Sequence, residues 1–268
     1  MCFINLGWIE SLPPLPQIVV RHTRLRTLKL LHFPFELLCS FLDVLELPSL
    51  QAYHQQVSGL DIAADNVTSL LNRSRVNLKR LTLDMHWPQG EDIKKILDAV
   101  PCLQHLHLEM CCIANACVIH ELFEMLSESS SPSIPVGDAP GYLPSLQSLT
   151  ICASGTSFWE CIPRLFSSPH RKYLRLEVIK ASIEIDKDTL RTILHLVDDG
   201  ADIHSLTDMG NLDYLQQFRG NSHEANISQI SDVVDHALEG EPAKGDDDKE
   251  GFLTSFSNFI SRLFCRIR

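Results

Sequence analysis

One motif constrains this chain more than any other property it has. Leu25-x-x-Leu28-x-Leu30 recurs as Leu78-x-x-Leu81-x-Leu83, as Leu103-x-x-Leu106-x-Leu108 and as Leu146-x-x-Leu149-x-Ile151. A partial copy is Arg171-x-x-Leu174-x-Leu176, and a degenerate one begins at Leu50 with Tyr53 and Gln55 in its later slots. The flanks support that register: Pro48-Ser49-Leu50-Gln51, Pro101-Cys102-Leu103-Gln104 and Pro144-Ser145-Leu146-Gln147 share one pattern. In a short strand alternate side chains point the same way, so the two closely spaced apolar positions face a core. The residues between them face outward.

The first slots at 25, 50, 78, 103, 146 and 171 lie 25, 28, 25, 43 and 25 residues apart. Periods of 20 to 29 residues belong to leucine-rich repeats. The long gap contains the Ser/Pro-rich stretch from Ser127 to Gly141, which reads as a loop inserted into one repeat. Amphipathic helical segments lie between the motifs, at Asp92 to Val100, Val118 to Leu126 and Thr189 to Val197. Each strand–helix unit has a face it cannot bury alone, so units must stack. The expected fold is therefore α/β: a leucine-rich-repeat solenoid of about six strand–helix units. An ordinary α/β domain with Leu-rich strands explains the near-constant spacing less well.

Four segments follow from this pattern. Residues 1–23 form an N-terminal cap or extension and 24–219 the solenoid. Residues 220–250 read as an acidic flexible linker, with six acids against Lys244 and Lys249 between Glu239 and Glu250. Residues 251–268 contain no acid and place Phe252, Phe256, Phe259, Ile260, Leu263, Phe264 and Ile267 on one helical face beside Arg262, Arg266 and Arg268. Such a helix caps a solenoid end, fills a partner groove or lies on an anionic membrane.

The repeat units also resemble the leucine-rich-repeat region of F-box proteins, in the degenerate form common in mushroom-forming fungi. Leu47-Pro48-Ser49-Leu50, Leu143-Pro144-Ser145-Leu146 and Ile193 to Gly200 carry the same character. The resemblance implies a module that selects a protein target for an SCF-type ubiquitin ligase, reached through a Skp-type adaptor and a cullin. No convincing F-box precedes the repeats. Phe33 to Leu42 has a Pro-x-Glu-Leu-Leu start, but it sits inside the first repeat and reads better as a helix of that repeat.

The net charge of −11 argues against nucleic acid as a partner, because phosphate binding needs a basic footprint. No run of 18 or more apolar residues is present, and the nine Cys residues lack a regular framework. That combination points to reduced thiols and a cytoplasmic or nuclear location. The Asn-x-Ser/Thr triplets at Asn66, Asn72 and Asn226 are then read as coincidental.

Cys111, Cys112, Cys117 and His120, with His105 and His107 nearby, come closest to a metal-ligand set. They lack the paired spacing of a structural zinc site, and Cys111 falls in a slot where such repeats place a small polar side chain. Structural cysteine is the preferred reading, with no metal and no cofactor. No nucleophile elbow, phosphate loop or His-Glu-x-x-His motif occurs, and Asp84, Glu109 and Asp186 read as surface charge rather than an acid–base set. Gly200 to His204, followed by Gly210-Asn211, resembles an ankyrin hairpin turn, but a Gly-terminated helix at the solenoid end explains the same residues.

The expected function is thus protein binding on the outward strand face, without catalysis. A peripheral membrane protein anchored through residues 251–268 is the alternative. Alternation names the binding positions as Lys29, Lys79, Arg80, Thr82, Asp84, Gln104, His105, His107, Glu109, Gln147, Thr150, Lys172, Tyr173, Arg175 and Glu177. Tyr173 and Arg175 stand out, since aromatic and Arg anchors dominate interface energetics.

Overall fold

The computed structural model describes residues 2–5, 19–57, 62–86, 89–110, 116–127, 141–153, 158–179, 185–206, 213 and 215–216. The chain divides into two compact units, Met1–Gln217 and Phe218–Arg268. All described residues belong to the first. The linker and terminal helix expected over 220–250 and 251–268, and most of the insertion between Ser127 and Gly141, lie outside them.

Alternation of apolar and polar side chains gives short strands, and the amphipathic runs give the helices between them. In chain order the elements are β1 (Cys2–Asn5), β2 (Val20–Arg21), β3 (Thr27–Phe33), α1 (Phe35–Asp43), β4 (Leu45–Glu46), β5 (Ala52–Val57), α2 (Ala64–Ser74) and β6 (Arg80–Met85). They continue as α3 (Gly90–Asp98), β7 (His105–Met110), α4 (Ala116–Ser127), β8 (Ser148–Ala153), α5 (Cys161–Ser167), β9 (Arg175–Ile179), α6 (Lys187–Asp198) and β10 (Asp202–Leu206). Eight strands form one all-parallel sheet in the order β1-β3-β5-β6-β7-β8-β9-β10, and β2 pairs with β4 beside it. The fold is α/β with an open sheet, since β1 and β10 stand at opposite ends and do not close a barrel.

The core is built in register. Leu28, Tyr53, Leu81, Leu106, Leu149, Leu176 and Ile203 are successive partners across the sheet, and all are buried. Two residues on, Ile4, Leu30, Gln55, Leu83, Leu108, Ile151, Val178 and Ser205 form a second buried layer. The first slots Leu50, Leu78, Leu103, Leu146 and Leu174 form a third. The helices cover this face through Leu38, Phe41 and Leu42 of α1, Val67, Leu70 and Leu71 of α2, Ile93, Ile96 and Leu97 of α3, and their counterparts in α4, α5 and α6. The helices expected from Asp92, Val118 and Thr189 are α3, α4 and α6. The Pro-x-Glu-Leu-Leu stretch is α1, whose apolar side is spent on the core.

Two expectations need correction, the extent of the sheet and the frame of its sixth motif, while the glycine-terminated helix before residue 201 is as expected. The sheet extends beyond six units, because β1 from the supposed N-terminal extension pairs with β3 and β10 continues past β9. Gly200 does end a helix: its φ of 97° permits Gly200 N–H to reach Val197 O and Ala201 N–H to reach Leu196 O, which satisfies the last carbonyls of α6. The chain then enters β10 directly, so Asp202 to His204 are strand and not an ankyrin-type turn.

The frame of the sixth motif is also different. Leu174 N–H bonds Arg171 O, as Leu103 bonds Val100 and Leu146 bonds Leu143, so Leu174 is the first slot. Leu149 nevertheless pairs with Leu176, one residue earlier than the motif dictates. A one-residue deletion between slot and strand accounts for the shift. Lys172 and Tyr173 consequently fall on the turn before β9 instead of on the strand.

Candidate functional site

The face of the sheet opposite the helices carries three rows of side chains, set by the parallel register. The first row runs Thr27, Ala52, Arg80, His105, Ser148, Arg175 and Asp202. The second runs Lys29, His54, Thr82, His107, Thr150, Glu177 and His204. Leu31, Gln56, Asp84, Glu109, Cys152, Ile179 and Leu206 make the third. Adjacent positions in a row are about 4.8 Å apart and rows on one face about 7 Å apart, so the rows form a flat lattice.

Ten of the expected residues stand on this lattice: Lys29, Arg80, Thr82, Asp84, His105, His107, Glu109, Thr150, Arg175 and Glu177. Lys79, Gln104 and Gln147 sit one step earlier, on the turns that lead into the strands. There the carbonyls of Arg26, Gln51, Lys79 and Gln104 each accept two backbone N–H groups from the next turn, at 2.8 to 3.1 Å. Sequence reasoning missed His54, Gln56, Cys152 and His204. The signal for His54 and Gln56 was present, since they flank Gln55 in the degenerate motif, but Tyr53 and Gln55 hid the apolar period.

The electrostatics of the lattice centre follow from partial burial. Asp84, placed outward by alternation, is only 8% exposed. Burial and the neighbouring charge of Glu109 push its carboxyl above the usual range, against the pull of a hydrogen bond with Gln56. His54 is held below the ordinary imidazole range by burial and by Lys29 and His107. Burial does the same to His107, although Glu109, Glu177 and Asp84 oppose it. A neutral imidazole offers one donor and one acceptor. Around it, Thr150 donates its hydroxyl to Glu177 at 3.2 Å, and Arg175 pairs with Glu177 at 2.7 Å.

At the β10 end, His204 contacts Asp213 through Nδ1 at 3.0 Å and Asp202 through Nε2 at 2.7 Å. Burial lowers its pKa, but the hydrogen bonds and charges of both aspartates outweigh that and raise it. Asp213 also accepts the backbone N–H of Ser205 and Leu215, so the imidazole fastens that residue to the last strand.

Among the described residues, the structure does not bring the candidate metal ligands together. His105 and His107 lie on the open face, whereas Cys117 and His120 lie on α4 in the helix layer, and Cys111 and Cys112 are outside the described residues. Among the described residues no group of three or more His, Cys, Asp or Glu is arranged to hold a metal ion. His120 instead meets Cys161, with Sγ 3.1 Å from Nδ1, and its Nε2 lies 3.4 Å from Glu160. Burial and the charges of Glu160 and Glu124 push that thiol up to about 11, so it is a poor nucleophile. No described helix is long and apolar enough to cross a membrane.

No family model matches the chain, and no curated protein or solved structure matches it.

Proposed function

We propose that this chain is a non-enzymatic protein–protein recognition module, a leucine-rich-repeat solenoid that offers the open face of its sheet to a protein target. The observation that carries this reading is the contrast between the two faces. One face is closed by stacked Leu, Ile and Val under the helices. The other is a lattice rich in cationic, imidazole, hydroxyl and carboxylate side chains, and among the described residues no helix lies on it. Directional polar groups on a rigid sheet support selective recognition, because their positions are paid for by the fold before any partner arrives.

Through the resemblance to F-box repeat regions, the target is a substrate for ubiquitination and the route to the ligase is a Skp-type adaptor and cullin. Of the α1 residues that resemble an F-box start, Leu38 is spent on the core together with Phe41 and Leu42, whereas Glu36 is exposed and Leu37 half-buried.

A photo-crosslinking residue at Thr82, in the middle row, tests the recognition reading against one at Lys94, exposed on α3. Specific protein adducts from cell extract are expected at Thr82 and not at Lys94. Adducts only at Lys94, or the same set at both, would overturn it. Adaptor and cullin among the co-purifying proteins would support the ligase reading, and their absence from a preparation that retains the Thr82 adduct would remove it.

A further inference from the structure

The turns that feed the strands form a second surface, along the edge where the strands begin. The equivalent positions are Arg26, Gln51, Lys79, Gln104 and Gln147, each tied by its backbone to the next turn, with Arg175 taking the last bond. That hydrogen-bonded spine sets the side chains one strand spacing apart, about 4.8 Å, and spans about 24 Å from β3 to β9.

The chemistry of this edge is opposite to that of the chain. Overall the sequence carries 34 acids against 23 bases. The turn segments 22–26, 47–51, 75–79, 100–104, 143–147 and 172–174 contain no acid, and they hold Arg24, Arg26, Arg75, Lys79 and Lys172. All five of these cations are exposed, as is Arg80 at the start of β6. Ion pairs of the described residues engage Arg21, Lys95, Arg164, Arg175 and Arg191, but not Arg26, Lys79 or Arg80. At the β9 end stands Tyr173, 87% exposed, with Lys172 6.0 Å from its ring centre.

We propose that this strand-start edge binds an acidic, extended segment of a partner protein, running from Arg26 past Lys79 to Tyr173. The ligand is a protein segment because carboxylates separated by uncharged residues match cations interleaved with Gln51, Gln104 and Gln147, whose amides suit a peptide backbone. A nucleic acid backbone would bring denser charge toward Asp84 and Glu109, four residues farther along the strands, in a chain of net charge −11. About seven extended residues cover the 24 Å span. Tyr173 supplies an aromatic anchor for an apolar residue at one end. This inference rests on the protein-recognition reading but uses a different surface from the open face.

The test is fluorescence anisotropy of the full chain with three labelled probes: a Glu-rich nonapeptide ending in phenylalanine, its Lys-rich counterpart, and a nine-nucleotide oligothymidylate. The Glu-rich peptide is expected to bind. Arg26→Glu/Lys79→Glu should weaken it by about tenfold or more, and Tyr173→Ala should weaken it only when the phenylalanine is present. Binding unchanged by the charge reversal, or equal binding of the Lys-rich probe, would overturn the proposal. Equal and charge-sensitive binding of the oligothymidylate would also overturn it, by reassigning the edge to phosphate polymers. If the reversal changes neither the peptide affinity nor the Thr82 adduct, the edge proposal fails while the recognition reading stands. If charge-sensitive peptide binding is seen without any Thr82 adduct, the edge stands and the open-face reading fails.

Discussion

Gln55 occupies a slot where every intact copy of the motif has Leu or Ile, so Gln55→Leu looks like a repair toward the repeat. The structure predicts the opposite. Gln55 is 1% exposed, its Nε2 donates to Ile62 O at 2.7 Å, and its Oε1 accepts the Tyr53 hydroxyl at 2.6 Å. Leucine removes both partners at once. An orphaned buried carbonyl and an orphaned hydroxyl each cost about 1–3 kcal/mol. The gain in apolar burial is about 1 kcal/mol, because most of the Gln55 stem is already out of water. The balance is a loss of about 2 kcal/mol. For a folded unit of this size that lowers Tm by about 4–8 °C. Tyr53→Phe alone should cost about 1 kcal/mol by stranding the Gln55 carbonyl oxygen. The double variant should cost about 1 kcal/mol or less, below Gln55→Leu alone and well short of the sum, since the hydroxyl and its acceptor leave together and only the Ile62 carbonyl is orphaned. Urea unfolding of the four proteins measures the cycle. A Gln55→Leu chain as stable as the parent, or an additive cycle, would refute the claim that this buried amide satisfies both the Ile62 carbonyl and the Tyr53 hydroxyl.

Other expectations follow from the same kind of reasoning. Arg171 is 1% exposed and donates to the carbonyls of Leu126, Tyr142 and Leu143, so Arg171→Met should destabilise by about 3 kcal/mol or more, against less than about 0.5 kcal/mol for Arg164→Met at an exposed ion pair; calorimetry of both separates them. Arg75 holds φ at +49° at the end of α2, where Val76 N–H reaches Leu71 O, so Arg75→Gly should stabilise by about 0.5–1 kcal/mol in the same unfolding assay. The raised pKa of His204 means its aspartate contacts stabilise fully below the ordinary imidazole value of 6.5 and are lost as pH rises through the folded value. The stability difference between the parent and His204→Gln should therefore shrink from about pH 6 toward pH 8, and a difference that grows with pH would contradict the assignment.

Much of this protein is local in origin and was legible in its sequence. The Leu-x-x-Leu-x-Leu spacing identifies the strands β3, β6, β7 and β8 and the side of each that is buried, because the strand period of two is a property of the backbone itself. Ile93, Ile96 and Leu97 likewise announce α3 by their spacing. Ten of the fifteen outward positions then land on the open face.

What the pattern left undecided depends on contacts between segments distant in sequence. β1 and β10 lack the motif, and become strands because an exposed sheet edge can be continued by any segment able to hydrogen-bond to it. The deletion before β9 is invisible in a list of leucines, since Leu174 and Leu176 satisfy either frame. Only pairing with β8 decides between them, and it moves Lys172 and Tyr173 off the strand. Burial of Gln55, Asp84 and Arg171 is likewise a tertiary outcome, for each polar group is made tolerable by a partner 7 to 45 residues away that no periodicity predicts. Periodicity fixes which way a side chain points, whereas only the assembled sheet decides what it meets there.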